Sequence, residues 1–227
     1  MKKQIVVIGL GRFGASLATT LSGMGHEVMA IDSNERKVSN IAPKVTRAVH
    51  ADVTNEAILK DLGVGNFDVG IVGIGYNVLN NILVTTLLKK LGIKYVVARA
   101  MDELHGSILH QVGADTIVHP ESESGARVAH SVTSVDIVDH ITMVGQYGIT
   151  KLSAPSYFWG NTLADLGFGR TGKLGLAALL IQRQKEIIVT PDRMETIRQG
   201  DFLIIAGTDG NLEQLLNEVR KRLLTDK

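Results

Sequence analysis

Six short apolar runs alternate with five segments of helical spacing over residues 1–120, and this alternation limits the fold more than any other feature of the chain. The strand-like runs are 5–8, 26–31, 45–50, 69–74, 95–98 and 116–118; the helical segments are 14–22, 35–41, 56–62, 82–91 and 104–112. Asn80 is read as the N-cap of the fourth helix, and Gly63, Gly92 and Gly113 close three of the five, as N-capping side chains and left-handed glycines do. Strands separated by single helices pair in parallel through right-handed crossovers, and a parallel sheet needs helices on both faces. The expected fold of residues 1–120 is therefore α/β, a Rossmann-like doubly wound parallel sheet with strand order 3-2-1-4-5-6.

The first strand runs into Gly9-Leu10-Gly11-Arg12-Phe13-Gly14. GxGxxG alone is a weak signal; here it follows an apolar strand, opens a helix, and has Asp32 at the end of the second strand, the context of a dinucleotide fingerprint. Gly9 permits the tight turn, Gly11 lets backbone approach phosphates, and Gly14 lets the helix lie close on the strand. The helix start offers free N–H groups and a positive dipole end to a diphosphate. Asp32 is expected to accept hydrogen bonds from ribose hydroxyls and to repel a 2′-phosphate. Arg12 stands beside the phosphates, where a guanidinium suits extra anionic charge such as a terminal phosphate. Asp52 and Thr54 follow the third strand, Gly75 and Asn77 the fourth, and Arg99 ends the fifth. Ligands of open α/β sheets bind at the carboxyl ends of the strands, so all these residues point to one crevice.

After Pro120 the pattern changes. Residues 121–139 place Val128, Val132 and Val135 at helical spacing and are read as a connecting helix; strand-like runs follow at 150–153, 177–182, 187–189 and 202–206, then an amphipathic helix at 212–224. The expected division is a nucleotide-binding domain at 1–120, a connecting or dimerisation helix at 121–140, and a small α+β domain at 141–227.

Several chemistries are excluded. With no cysteine there are no disulfides, zinc thiolates or thiol nucleophiles. A net charge of +1 without a basic stripe argues against nucleic acid. No apolar run approaches the ~20 residues that cross a bilayer, and residues 1–4 lead into the first strand without a leader-like segment. Gly167-Phe168-Gly169-Arg170-Thr171-Gly172-Lys173-Leu174 nearly spells a P-loop, but Leu174 stands where magnesium needs a hydroxyl. The seven histidines show no metal-ligand spacing and are read as surface residues, and Trp159 is read as buried in a domain or subunit contact. No acid–base pair stands out that would make the chain a small NAD(H)-dependent oxidoreductase; that reading, or a dinucleotide sensor, is the alternative. No basic helix-turn-helix supports a redox-sensing transcription factor.

Val7-Ile8-Gly9-Leu10-Gly11-Arg12-Phe13-Gly14, Asp32 with Asn34, Ala51-Asp52-Val53-Thr54, and Gly113-Ala114-Asp115 leading to His119-Pro120-Glu121 together resemble an RCK (regulator of conductance of K+) domain of the Trk/Ktr class. Gly160-Asn161-Thr162-Leu163-Ala164-Asp165-Leu166, Pro191, and Gly200-Asp201-Phe202-Leu203-Ile204-Ile205-Ala206-Gly207 resemble the matching C-terminal subdomain. The resemblance implies a non-enzymatic regulatory subunit, cytoplasmic and peripheral to the inner face of the membrane. It implies homodimers that build an octameric ring beneath a potassium channel or transporter, switched by ATP versus ADP. It further implies that Arg12 contacts the terminal phosphate of ATP, that Asp32 and Asn34 hold the adenosine, and that Arg99 faces phosphate. Glu121 matches a glutamate that in some members helps bind a divalent or monovalent cation; as a bare residue it is a helix-start carboxylate favoured by the dipole. Some members bind cyclic di-AMP between paired C-terminal subdomains, and no residue here is assigned to that ligand.

Overall fold

β1 (Gln4–Ile8) is buried on both sides, with Ile5 and Val7 in one apolar cluster and Val6 and Ile8 in another. A strand with no polar face belongs at the centre of a sheet covered on both faces. Accordingly β1 pairs in parallel with β2 (Glu27–Asp32) and β4 (Val69–Val72). β3 (Arg47–His50) lies outside β2, while β5 (Tyr95–Arg99) and β6 (Thr116–Val118) extend the sheet beyond β4. The order β3-β2-β1-β4-β5-β6 is the doubly wound order expected from the sequence. Between β1 and β4 the order reverses, and a crevice opens there at the carboxyl ends.

Ala18 of α1 (Arg12–Gly23) and Val38 and Ile41 of α2 (Glu35–Ile41) cover one face. The other face carries Leu59 of α3 (Glu56–Asp61), Val84, Leu87 and Leu88 of α4 (Val78–Lys90), and Leu109 of α5 (Glu103–Gln111). Each large aliphatic side chain so buried contributes roughly 1.5–3 kcal/mol, well above the helix propensity of any residue in these segments. The helices hold their places through the sheet. α4 begins one turn earlier than expected: Asn77, not Asn80, is the N-cap, its Oδ1 accepting the Asn80 N–H at 3.0 Å.

The computed structural model describes residues 1–133, 136–169 and 172–225, and these divide into two compact units, Met1–Ser122 and Glu123–Lys227. In the second unit an antiparallel sheet is ordered β10-β9-β11-β8-β7. Its strands are β7 (Ile137–Val144), β8 (Tyr147–Ser153), β9 (Ala177–Arg183), β10 (Glu186–Val189) and β11 (Phe202–Thr208). Leu152, Leu203 and Ile205 on one face of that sheet pack with Leu212, Leu215, Leu216 and Val219 of α7 (Asp209–Thr225). The connecting helix is shorter than expected. α6 (Pro120–Thr133) stops before the β-branched pair Ile137-Val138, which forms β7 and pairs with β8 across a turn at Gly145 (φ +58°). Val135 of the expected apolar stripe lies outside the described residues, as do Arg170 and Thr171 of the P-loop-like segment; Leu174 of that segment is buried in the core. Among the aromatics Phe158 and Phe168 are buried, and they meet edge-on with centroids 6.0 Å apart. Trp159 is partly exposed and donates its indole N–H to the Ala154 carbonyl.

The reading of the histidines as surface residues fails at two positions, His105 and His140, both of which are buried. His105 Nδ1 accepts the Met101 N–H at 3.3 Å, and Nε2 has no hydrogen-bond partner. Burial pushes its pKa below the usual histidine value, opposed by the nearby Asp102 carboxylate and reinforced by His119. A depressed folded-state pKa means that below about pH 6.5 the unfolded chain binds a proton that the folded chain resists. Stability is therefore full above that pH and declines as the pH falls, with a slope of at most ~1.4 kcal/mol per pH unit for one proton. Denaturant unfolding at pH 7.5 and 5.0 is expected to show a larger acid-induced loss for the wild type than for His105→Gln; equal losses would exclude His105 as the source.

Candidate functional site

The turn between β1 and α1 is built from glycines for reasons of space. Gly9 has φ +91°, and a Cβ there would lie 2.9 Å from the Ile74 amide nitrogen. A Cβ on Gly14 would lie 2.0 Å from the Gly9 carbonyl oxygen, so α1 can sit this close to β1 only because the residue is glycine. Gly11 has open space around it and serves as the N-cap of α1 without a side-chain hydrogen bond. The first turn of α1 also carries no acidic residue. Its N–H groups and dipole thus remain available to an anion.

The other strand ends complete a cavity of about 620 Å³. Gly9, Gly11, Arg12, Phe13, Asp32, Asp52, Val53, Thr54, Gly75, Asn77, Arg99 and Glu121 all line it, so most of the residues singled out from the sequence are brought together. Gly14 and Asn34 are not among the lining residues. Gly14 acts beneath the turn, and Asn34 is the N-cap of α2, its Oδ1 accepting the Lys37 N–H.

Asp32 is more constrained than its sequence role suggests. Its carboxylate is nearly buried, with Oδ2 accepting the Leu10 N–H at 2.7 Å and Oδ1 the Asn34 N–H at 2.8 Å. It therefore clamps the glycine-rich turn to the end of β2 and keeps only part of its accepting capacity for a ligand. Lys37 Nζ stands 3.1 Å from Oδ2 and also lines the cavity. Asp52 accepts both the N–H and the hydroxyl of Thr54, and these hydrogen bonds, the hydroxyl's first, hold its carboxyl below the usual range.

On the opposite wall the Arg99 guanidinium lies so close to Gly75 that a Cβ there would be 2.1 Å from Nη1. Arg99 Nη2 donates to Glu121 Oε1. Behind both, the fully buried Asn81 donates through Nδ2 to the Ile74 carbonyl (2.6 Å) and the Arg99 carbonyl (2.9 Å), tying the ends of β4 and β5 together. Sequence reasoning missed Lys37 and Asn81. Lys37 was legible as the residue three beyond the N-cap Asn34, in the first turn of α2; nothing in the sequence marks Asn81 apart from its place on an apolar helix.

Arg12, Lys37 and Arg99 face Asp32, Asp52 and Glu121 around this cavity. Mixed charge over a floor of backbone amides suits a ligand that carries phosphates at one end and sugar hydroxyls at the other. Among the described residues no group of three or more His, Asp or Glu side chains could hold a metal ion, and Glu121 is spent on Arg99.

Comparison with known proteins places this geometry in context. Residues 5–120 match the TrkA-N domain family. Over 227 residues the chain is 40% identical to the Ktr system potassium uptake protein C of Bacillus subtilis (strain 168), covering all of both chains. Among solved structures it is similar to the GsuK RCK domain, with a TM-score of 0.63 and 19% identity over 96% of this chain and 47% of that one. It is also similar to a GsuK channel bound to NAD, with a TM-score of 0.60 and 18% identity over 95% of this chain and 39% of that one. At these identities the structural likeness shows a shared fold, and the chain spans less than half the length of either solved chain.

Proposed function

The chain belongs to the TrkA-N (RCK) family, and on that premise we propose that it is a non-enzymatic regulatory subunit of a membrane potassium uptake system, switched by an adenine nucleotide in the cavity at the carboxyl ends of the first sheet. The observation that carries the nucleotide reading is the uncapped start of α1 over a glycine floor, with Arg12, Lys37 and Arg99 in the same lining. The transport role is supported by full-length similarity to a potassium uptake protein. The partner is then a potassium channel or transporter in the membrane. No helix among the described residues is long and apolar enough to cross a bilayer itself. A homodimer assembled into an octameric ring would sum small differences in nucleotide binding into work on that partner.

The switch needs no bond chemistry. ATP and ADP differ in charge at the terminal phosphate, and only a difference in affinity between two conformations can shift their balance. Arg12, exposed at the first position of α1, is the cation assigned to that phosphate, Asp32 to the ribose, and Arg99 to phosphate. Competition calorimetry tests both parts. ATP and ADP are expected to displace NADH, and Arg12→Ala is expected to weaken ATP by about tenfold, the equivalent of ~1.4 kcal/mol, while ADP changes less than about threefold. Equal losses for ATP and ADP would remove the terminal-phosphate role. Preference for NADH would favour a dinucleotide sensor, a reading to which the glycine fingerprint and Asp32 also lend themselves.

A further inference from the structure

Arg99 is incompletely satisfied where it stands. Its side chain is only 13% exposed, its guanidinium is packed against Gly75, and Nη2 donates to Glu121. A guanidinium offers Nε–H and one Nη–H as a parallel fork that carboxylates and phosphates take bidentately. Here Glu121 takes Nη2, while Nε is buried with no hydrogen-bond partner. Buried donors left unpaired are rare and costly. Glu121 is 64% exposed, so its hold on Arg99 is the weak hold of an ion pair with one solvated partner.

We infer that Glu121 determines which adenylates the cavity accepts, by standing in for a ligand phosphate on Arg99 until one arrives. The inference rests on the nucleotide reading of the cavity. A phosphate has more oxygens and more charge than the carboxylate and can take both arms of the fork, satisfying Nε as well. A ligand long enough to reach Arg99 must displace Glu121 and then bind beside its released negative charge. A ligand that stops short leaves the pair intact. Glu121 thus sets how far added phosphates convert into affinity. The displaced carboxylate remains on the first turn of α6, where the helix dipole favours it.

The test is calorimetry on the full chain in EDTA, with adenosine, AMP, ADP and ATP as ligands. The proteins are wild type, Glu121→Gln, Arg99→Gln and the double variant. Glu121→Gln is expected to tighten those phosphorylated adenylates that Arg99→Gln weakens, by about five- to twentyfold in Kd, and to leave adenosine within about twofold. In the Arg99→Gln background the effect of Glu121→Gln is expected to shrink to less than about a third, because no contact is left to displace and only the repulsion of the carboxylate remains. If the wild type binds adenylates but Glu121→Gln leaves them unchanged, weakens them, or tightens them equally in both Arg99 backgrounds, the inference is overturned while the nucleotide site stands. If the wild type binds no adenylate, the nucleotide reading falls and the inference with it.

Discussion

Replacing Gly14 with alanine is expected to destabilise the first unit by about 2–3 kcal/mol, lowering its melting temperature by on the order of 10 °C. Alanine is the better helix former by roughly 1 kcal/mol, so propensity alone would predict the opposite sign. The new Cβ, however, would lie 2.0 Å from the Gly9 carbonyl oxygen and 3.1 Å from its carbon. Those atoms cannot step aside, since Gly9 is itself wedged with φ +91° against the Ile74 amide. Relief requires α1 to lift off β1, which loosens Ala18 from its cluster and withdraws the N–H groups that face the cavity. Gly23→Ala, on the same helix with nothing within 4 Å of its Cβ, is the control and is expected to be neutral or slightly stabilising. Thermal unfolding followed by circular dichroism separates the two. If Gly14→Ala melted with the wild type, close packing at this turn would not be what requires glycine.

Gly75→Ala is expected to behave in the opposite way, sparing stability and removing binding. Its Cβ would lie 2.1 Å from Arg99 Nη1, but a guanidinium at the end of a flexible side chain can move, and the backbone of Gly75 is in a region open to alanine. The unfolding free energy should change by less than about 1 kcal/mol. Arg99, pushed from its seat, would lose its alignment with Glu121 and with any phosphate in the cavity. Charge-assisted hydrogen bonds are worth about 1.5–3 kcal/mol each, so adenylate affinity is expected to fall by at least about tenfold. Affinity within about twofold of wild type would mean that Arg99 does not need this position to act.

How much was legible varies with the range of the forces involved. The parallel sheet could be read because strands buried on both faces leave continuous apolar runs, as in residues 5–8 and 69–72, punctuated by glycines. The helix read across residues 121–139 was wrong at its end because β7 exists by pairing with β8, a contact made across a turn and invisible in the period of α6. Asn77 and Asn80 are equally good capping residues by type, and the choice between them fell to where α4 docks on the sheet. His105 could not be told from a surface histidine because its neighbours in sequence, Leu104 and Gly106, do not reveal which side of α5 faces inward.

The order of elements, the glycine turn and the acidic residue after the second strand were set by local rules: apolar period, conformational freedom and side-chain size, all carried by adjacent residues. What required the folded chain was the allocation of each polar group. Asp32 is drawn to the Leu10 amide, Arg99 to Gly75 and Glu121, and Asn81 to two carbonyls on neighbouring strand ends. Those partners lie 7 to 24 residues away along the chain, and only the folding of the sheet brings them into contact.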